Sequence, residues 1–245
     1  NAISINALNS GLSRKFENIF PFLKISLYRK IVRINSKSFD LFYDNKKNKK
    51  KLSNKYILYI DSPINHFDRT SREGPVKSAE IKNFYNDLVF FLNKFSNEFN
   101  KKILISLHPD KLKFFNKESK IFKNNKRILI SKKRTVDLIN ESEIIIFAFS
   151  SAVLNAVILK KKIFSIRSKF FGAHFLEIHK RYVNQFKFPY FDIDKKNIDL
   201  SKSKIFLKFK NSIKTYDSFI KKKLIIDFSQ PSSTQISKLI KRNLF

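Results

Sequence analysis

Cysteine, methionine and tryptophan are absent from the 245 residues, and glycine occurs only at Gly11, Gly74 and Gly172. Without cysteine there is neither a disulfide framework nor a thiolate metal site, which leaves the redox compartment undetermined. Three scattered glycines cannot build the G-x-G-x-x-G turn of dinucleotide-binding folds or the phosphate loop of P-loop NTPases, so both classes are disfavoured. No apolar run approaches the roughly 20 residues that a membrane-spanning helix needs, and no signal peptide is visible. The four histidines, His66, His108, His174 and His179, lack metal-site spacing. A catalytic serine elbow needs small flanking residues, which Phe149 and Ala152-Val153 do not supply, so hydrolases are disfavoured too. The chain begins at Asn1 and contains no Met, so a fragment or processed product is expected, with much of its N-terminal side missing.

What is abundant is lysine, asparagine, isoleucine and phenylalanine. Lys and Arg number 51 against 20 Asp and Glu, for a net charge of +31, which invites a basic nucleic-acid-binding reading. The favoured residues, however, have codons that can be made of A and T alone, and the depleted ones all require G. An AT-rich genome with lysine as its default surface residue is the expected source of the excess, and no specific nucleic acid is expected as partner. With 42% hydrophobic residues, the chain can bury a sizeable core.

In chain order, residues 1–42 show short apolar clusters without a clean period, and DNKKNKKKLSNK from Asp44 to Lys55 is a charge run without an apolar face. Tyr56–Ile60, YILYI, is the first clear strand, stopped by Asp61-Ser62-Pro63. A loop follows, INHFDRTSREGP, carrying His66, Asp68, Arg69 and Arg72. Ser78 to Asn100 reads as a long amphipathic helix with Ile81, Phe84, Tyr85, Leu88, Phe91, Leu92 and Phe95 at helical spacing, a core stripe. Strands are then expected at Lys101–His108, Arg127–Ser131, Ile144–Phe149 and Lys162–Ser168. The intervening helices are expected at 111–118, 135–142 and 151–159. Beyond Phe170 a helix over 175–186, a short edge strand over 189–193, a basic helix over 212–226 and a last helix over 234–244 complete the reading. Alternating strand and helix with short connections predicts an α/β fold, a Rossmann-like parallel sheet flanked by helices, with a partial N-terminal segment. The organisation expected is a remnant of a preceding domain and basic linker at 1–55, a nucleotide-sugar-binding domain at 56–229, and a C-terminal helix at 230–245.

Two strand ends carry the chemistry. KKILISLHPD ends in His108 and Pro109, and EIIIFAF ends abruptly in Ser150 and Ser151 ahead of a helix start. A helix start offers unpaired backbone N–H groups and the positive end of the dipole, so the two serines either cap the helix or hold a phosphate. In an open parallel sheet both motifs would face the crevice outside the carboxyl ends of the strands. Asp192-Ile193-Asp194 imitates a metal-nucleotide D-x-D but follows the βα block, and it is read as surface.

The strand ending in HP, followed by TVDLINESEIIIFAFSSAVLNAVILKKKIFSI, resembles the nucleotide-binding C-terminal half of GT-B glycosyltransferases, in particular bacterial sialyltransferases, polysialyltransferases and Kdo transferases. The resemblance covers about 56–168. It implies that His108, with Pro109, and the pair Ser150 and Ser151 bind the phosphate of a CMP-linked sugar, without a metal or other cofactor. It also implies an aspartate base, Asp61 or Asp68; Asp-Ser-Pro departs from the family's paired acids and glycine. Teichoic-acid polymerases using CDP-glycerol resemble the pattern as well, with Asp-Tyr before their serines where this chain has Ala148-Phe149. The expected activity is transfer from a CMP-activated sugar to a glycan or lipid-linked glycan acceptor in lipopolysaccharide or capsule synthesis. A cytoplasmic location follows from that expectation, with peripheral contact to the anionic inner membrane. The alternatives are a CDP-glycerol-type polyol-phosphate transferase, a basic nucleic-acid-binding protein, and a Rossmann-like domain without activity.

Overall fold

The computed structural model describes residues 3–5, 30–32, 39–40, 43, 56–62, 64–109, 121–122, 125–195, 197–221 and 229–244. They fall into two compact units, one from Asn1–Lys51 with Asp217–Phe245 and the other from Leu52–Tyr216. In the first unit, β1 (Ile3–Ile5) pairs in parallel with β2 (Lys30–Val32). The expected helix at 111–118 and the charge run at 44–55 lie outside the described residues.

The second unit is a six-stranded sheet, every pairing parallel. In chain order its elements are β3 (Tyr56–Ile60), α1 (Phe67–Glu73), α2 (Ser78–Phe99), β4 (Ile103–Ser106), β5 (Ile128–Ser131), α3 (Thr135–Glu141), β6 (Ser142–Phe147), α4 (Val153–Ile158), β7 (Lys162–Arg167), α5 (Ala173–Phe186) and β8 (Tyr190–Asp192). The helix α6 (Lys202–Phe219) begins ten residues before the basic helix expected from the sequence, and α7 (Ser232–Leu244) lies in the first unit. The strand order is β5-β4-β3-β6-β7-β8. Central strands covered on both faces need no polar alternation, which is why YILYI and Ile144–Phe147 are apolar throughout and fully buried.

Each face has its own aromatic packing. Phe84, Leu88, Phe91, Leu92 and Phe95 form the buried stripe of α2; Phe95 lies 5.6 Å from Phe164 of β7, and Phe91 lies 5.6 Å from Phe191 of β8. Each such side chain contributes about 1.5–3 kcal/mol by leaving water. On the opposite face Phe147 meets Tyr182 at 5.8 Å and Phe188 at 5.4 Å. The helix α2 starts where the Glu80 carboxylate accepts the Lys77 N–H at 3.0 Å and ends at Asn100, whose φ of 48° turns the chain away. Lys161, only 5% exposed, donates to the carbonyls of Asn140 at 3.0 Å and Ser142 at 2.5 Å, tying the end of α3 to the start of β7. Burial holds that amine down at about 8. Among the described residues no helix is long and apolar enough to cross a membrane.

Two sequence expectations are corrected. The segment after β3 is helical over Phe67–Glu73, although FDRTSRE has no apolar stripe; the Arg69 guanidinium donates to the Gly74 carbonyl, and the Glu73 carboxylate accepts the His174 N–H at the start of α5. One local and one long-range contact at its C-terminal end hold a helix that its composition does not announce. The pair Asp192 and Asp194 is not simply surface: Asp192 is ion-paired with Arg167, and Asp194 accepts from Ser168 Oγ at 2.8 Å and Lys169 N at 2.7 Å.

Candidate active site

The chain enters the sheet at β3, moves outward through β4 to β5, and returns to β6 on the other side of β3. That reversal makes the carboxyl ends of β3 and β6 the switch point of the sheet, the place where open α/β sheets bind ligands. Asp61 follows β3 directly; its N–H donates to the Ser106 carbonyl at 2.9 Å and the residue is 5% exposed. Burial, and then the charge of Asp61, push the Tyr59 phenol well above its ordinary range, so the tyrosine stays protonated beside the carboxylate.

His108 lies two residues beyond β4, half-buried, with Pro109 exposed after it. Its ring centroid is 4.2 Å from that of His66. His66 is held there because its carbonyl accepts the Arg69 and Thr70 N–H groups at 3.0 and 2.9 Å, the first turn of α1. The adjacency of β3 and β4 thus brings a histidine from each following segment together. Sequence spacing did not point to the His66 contact; parallel pairing of the two strands is the signal that finds it. Asp68 is the second residue of α1, and its side chain lies outside the described residues.

Ser150 and Ser151 occupy the turn between β6 and α4, Ser150 half-buried and Ser151 exposed. Neither is the N-cap expected from the sequence. The cap is Ala152, and the Ser150 hydroxyl accepts the Ala152 N–H at 3.3 Å while the Ser150 and Ser151 carbonyls accept from Val153 and Leu154. The helix has only six residues, so its dipole is short and an anion here would depend on the hydroxyls. Behind the turn, Phe149 packs on Phe171 at 5.1 Å and Phe175 at 4.4 Å, which fixes where the serines emerge.

His108, Asp61 and the serine pair therefore follow three consecutive strands, β4, β3 and β6. At about 4.8 Å per strand, the outer two strand ends are roughly 10 Å apart, with Asp61 between them. Among the described residues no group of three or more His, Cys, Asp or Glu side chains could hold a metal ion. A separate cavity of about 680 Å³ opens farther along the same edge, between α5 and the ends of β7 and β8.

This architecture is a Rossmann-like half of the GT-B type. No protein-family model matches the sequence, and no curated protein matches it. Among solved structures the chain is similar to the wall teichoic acid polymerase TagF, with a TM-score of 0.55 and 15% identity over 98% of this chain and 57% of that one. A TagF variant soaked with CDPG gives a TM-score of 0.53 and 16% identity over 98% of this chain and 56% of that one. The UDP-GlcNAc 2-epimerase of Methanocaldococcus jannaschii gives a TM-score of 0.48 and 18% identity over 91% of this chain and 59% of that one. The chain spans somewhat more than half the length of these structures.

Proposed function

We propose that the chain is the nucleotide-sugar-binding part of a glycosyltransferase of surface-polymer synthesis, using a cytidine-nucleotide donor and no metal. The observation that carries this is the grouping of Asp61, His108 and Ser150-Ser151 on three consecutive strand ends at the switch point of a GT-B-type sheet. In the reaction, the acceptor hydroxyl oxygen bonds to the donor's anomeric carbon as the bond from that carbon to the phosphate oxygen breaks. The electron pair leaves with CMP, and the acceptor proton passes to a carboxylate. His108 and the serine hydroxyls stabilise the charge gathering on the phosphate, and Asp61 takes the proton, with Asp68 as the other candidate. A second reading, transfer of a polyol phosphate from CDP-glycerol, draws support from the likeness to TagF, where CDPG has been soaked into the crystal.

Calorimetric titration with CMP, CDP, UDP and GDP tests the proposal. Cytidine nucleotides should bind best, and His108→Ala should weaken binding while Asp61→Asn leaves it intact but abolishes transfer. Such an acid–base contact contributes about 10²–10⁴-fold to rate. Equal binding of all four nucleotides, or none, would refute it.

A further inference from the structure

The cavity between α5 and the ends of β7 and β8 shares the carboxyl edge of the sheet with the cluster at β3, β4 and β6 but none of its residues. At about 680 Å³ it falls in the range of small-ligand sites. Its floor is apolar, formed by Ala173, Leu176 and Val183 along one side of α5. His179 lies in its wall, 3% exposed, with Nε2 buried and without a hydrogen-bond partner. A buried imidazole nitrogen left without a partner costs free energy that a ligand hydroxyl would recover. Across from it Tyr190 is 46% exposed, its ring braced by the His179 edge at 5.8 Å and by the Arg167 guanidinium 5.4 Å from its centroid.

The charges around the cavity do not cancel. Its three carboxylates are already engaged, Asp192 by Arg167, Asp194 by Ser168 and the Lys169 N–H, and Glu177 by Arg181 at 3.3 Å. Among the described residues no carboxylate pairs with the Lys169 or Lys180 ammonium group. An apolar floor, an exposed and braced aromatic ring, a buried nitrogen lacking a partner and two cations without a carboxylate partner, Lys169 resting 5.1 Å from the Phe170 ring centroid, are complementary to a sugar ring that carries an acid group.

We infer that this cavity binds an acidic saccharide, a segment of the acceptor chain, with a ring on Tyr190, a hydroxyl on His179 and the acid group at Lys169 and Lys180. The term acceptor rests on the glycosyl-transfer reading; the binding itself does not. The strand β8 lies two strand spacings, roughly 10 Å, from β6, so a short saccharide seated here reaches toward Ser150 and Ser151.

The test is calorimetry on the full chain with trigalacturonic acid, with maltotriose as the neutral trimer, and with inorganic phosphate. Saturable binding of trigalacturonic acid, at least about tenfold tighter than maltotriose or phosphate, is expected, and Tyr190→Ala and Lys180→Ala should each weaken it about tenfold. Both side chains are exposed, and unchanged far-UV dichroism will show that the variants fold. His108→Ala should bind the trimer like the unmodified chain. No binding, equal binding of maltotriose or phosphate, or indifference to both substitutions overturns the inference. CMP titration of the same preparations reports the nucleotide site separately, so the failure of one reading is distinguishable from failure of the other.

Discussion

Lowering the pH should destabilise the second unit through His179 in a way that can be measured. Burial, then the neighbouring Arg167, hold this imidazole at about 4 instead of 6.5, against a smaller opposing pull from Asp192. The folded chain therefore resists a proton that the unfolded chain accepts. Above pH 6.5 both states are neutral at this residue and nothing is lost. As the pH falls from 6.5 to about 4 the unfolded state gains the proton first, and stability drops by about 3 kcal/mol at roughly 1.4 kcal/mol per pH unit. That is a large part of the 5–15 kcal/mol typical of a domain. The assay is urea unfolding followed by tyrosine fluorescence and far-UV dichroism, since the chain has no tryptophan, at half-unit intervals from pH 7 to pH 4. Comparison with His179→Gln removes the contribution of carboxylates, which titrate in both proteins. The difference between the two stabilities should fall steadily across the window. Parallel curves would refute the reasoning, because they would mean that His179 protonates as easily in the fold as outside it.

Lys161 should show the same sign of effect in an alkaline window. Its amine is held at about 8 instead of 10.5, so the penalty for burying the charged form is complete below pH 8 and is relieved as pH rises to 10.5; relative to Lys161→Met, the unmodified chain should gain about 3 kcal/mol across that range in denaturant titrations. Gly172 has a φ of +84°, and a Cβ there would lie 2.7 Å from the Glu73 side chain, so Gly172→Ala should cost about 1–3 kcal/mol in thermal unfolding. Adding Glu73→Ala should relieve the clash but not the backbone strain; full recovery by the double variant would show that φ was not the constraint.

Much of the sheet was legible because burial on two faces leaves a plain mark. Continuous apolar runs marked β3 and β6, and the period of Phe84, Leu88, Phe91 and Phe95 marked α2. The order of the strands was not legible, since nothing in an apolar run says which strand will pair with it. For that reason the separation of β4 from β6 by β3, and the contact of His66 with His108, emerge only from the fold. The helix α1 was missed because its seven residues carry charge in place of an apolar stripe. Serine's strong capping tendency pointed to Ser150 or Ser151, yet the turn places Ala152 at the cap and spends the Ser150 hydroxyl on the Ala152 N–H. His179 sits among Glu177, Lys180 and Arg181, a sequence that reads as exposed; its burial comes from β8, whose Tyr190 closes over it.

The central claim is that His108, Asp61 and the serine pair form one nucleotide site, and a crystal structure of the chain with bound CMP tests it most directly. The phosphate should lie within about 3 Å of a Ser150 or Ser151 hydroxyl and of a His108 ring nitrogen, above Asp61. A phosphate bound instead in the cavity at β7 and β8, or touching neither His108 nor the serines, would contradict the account.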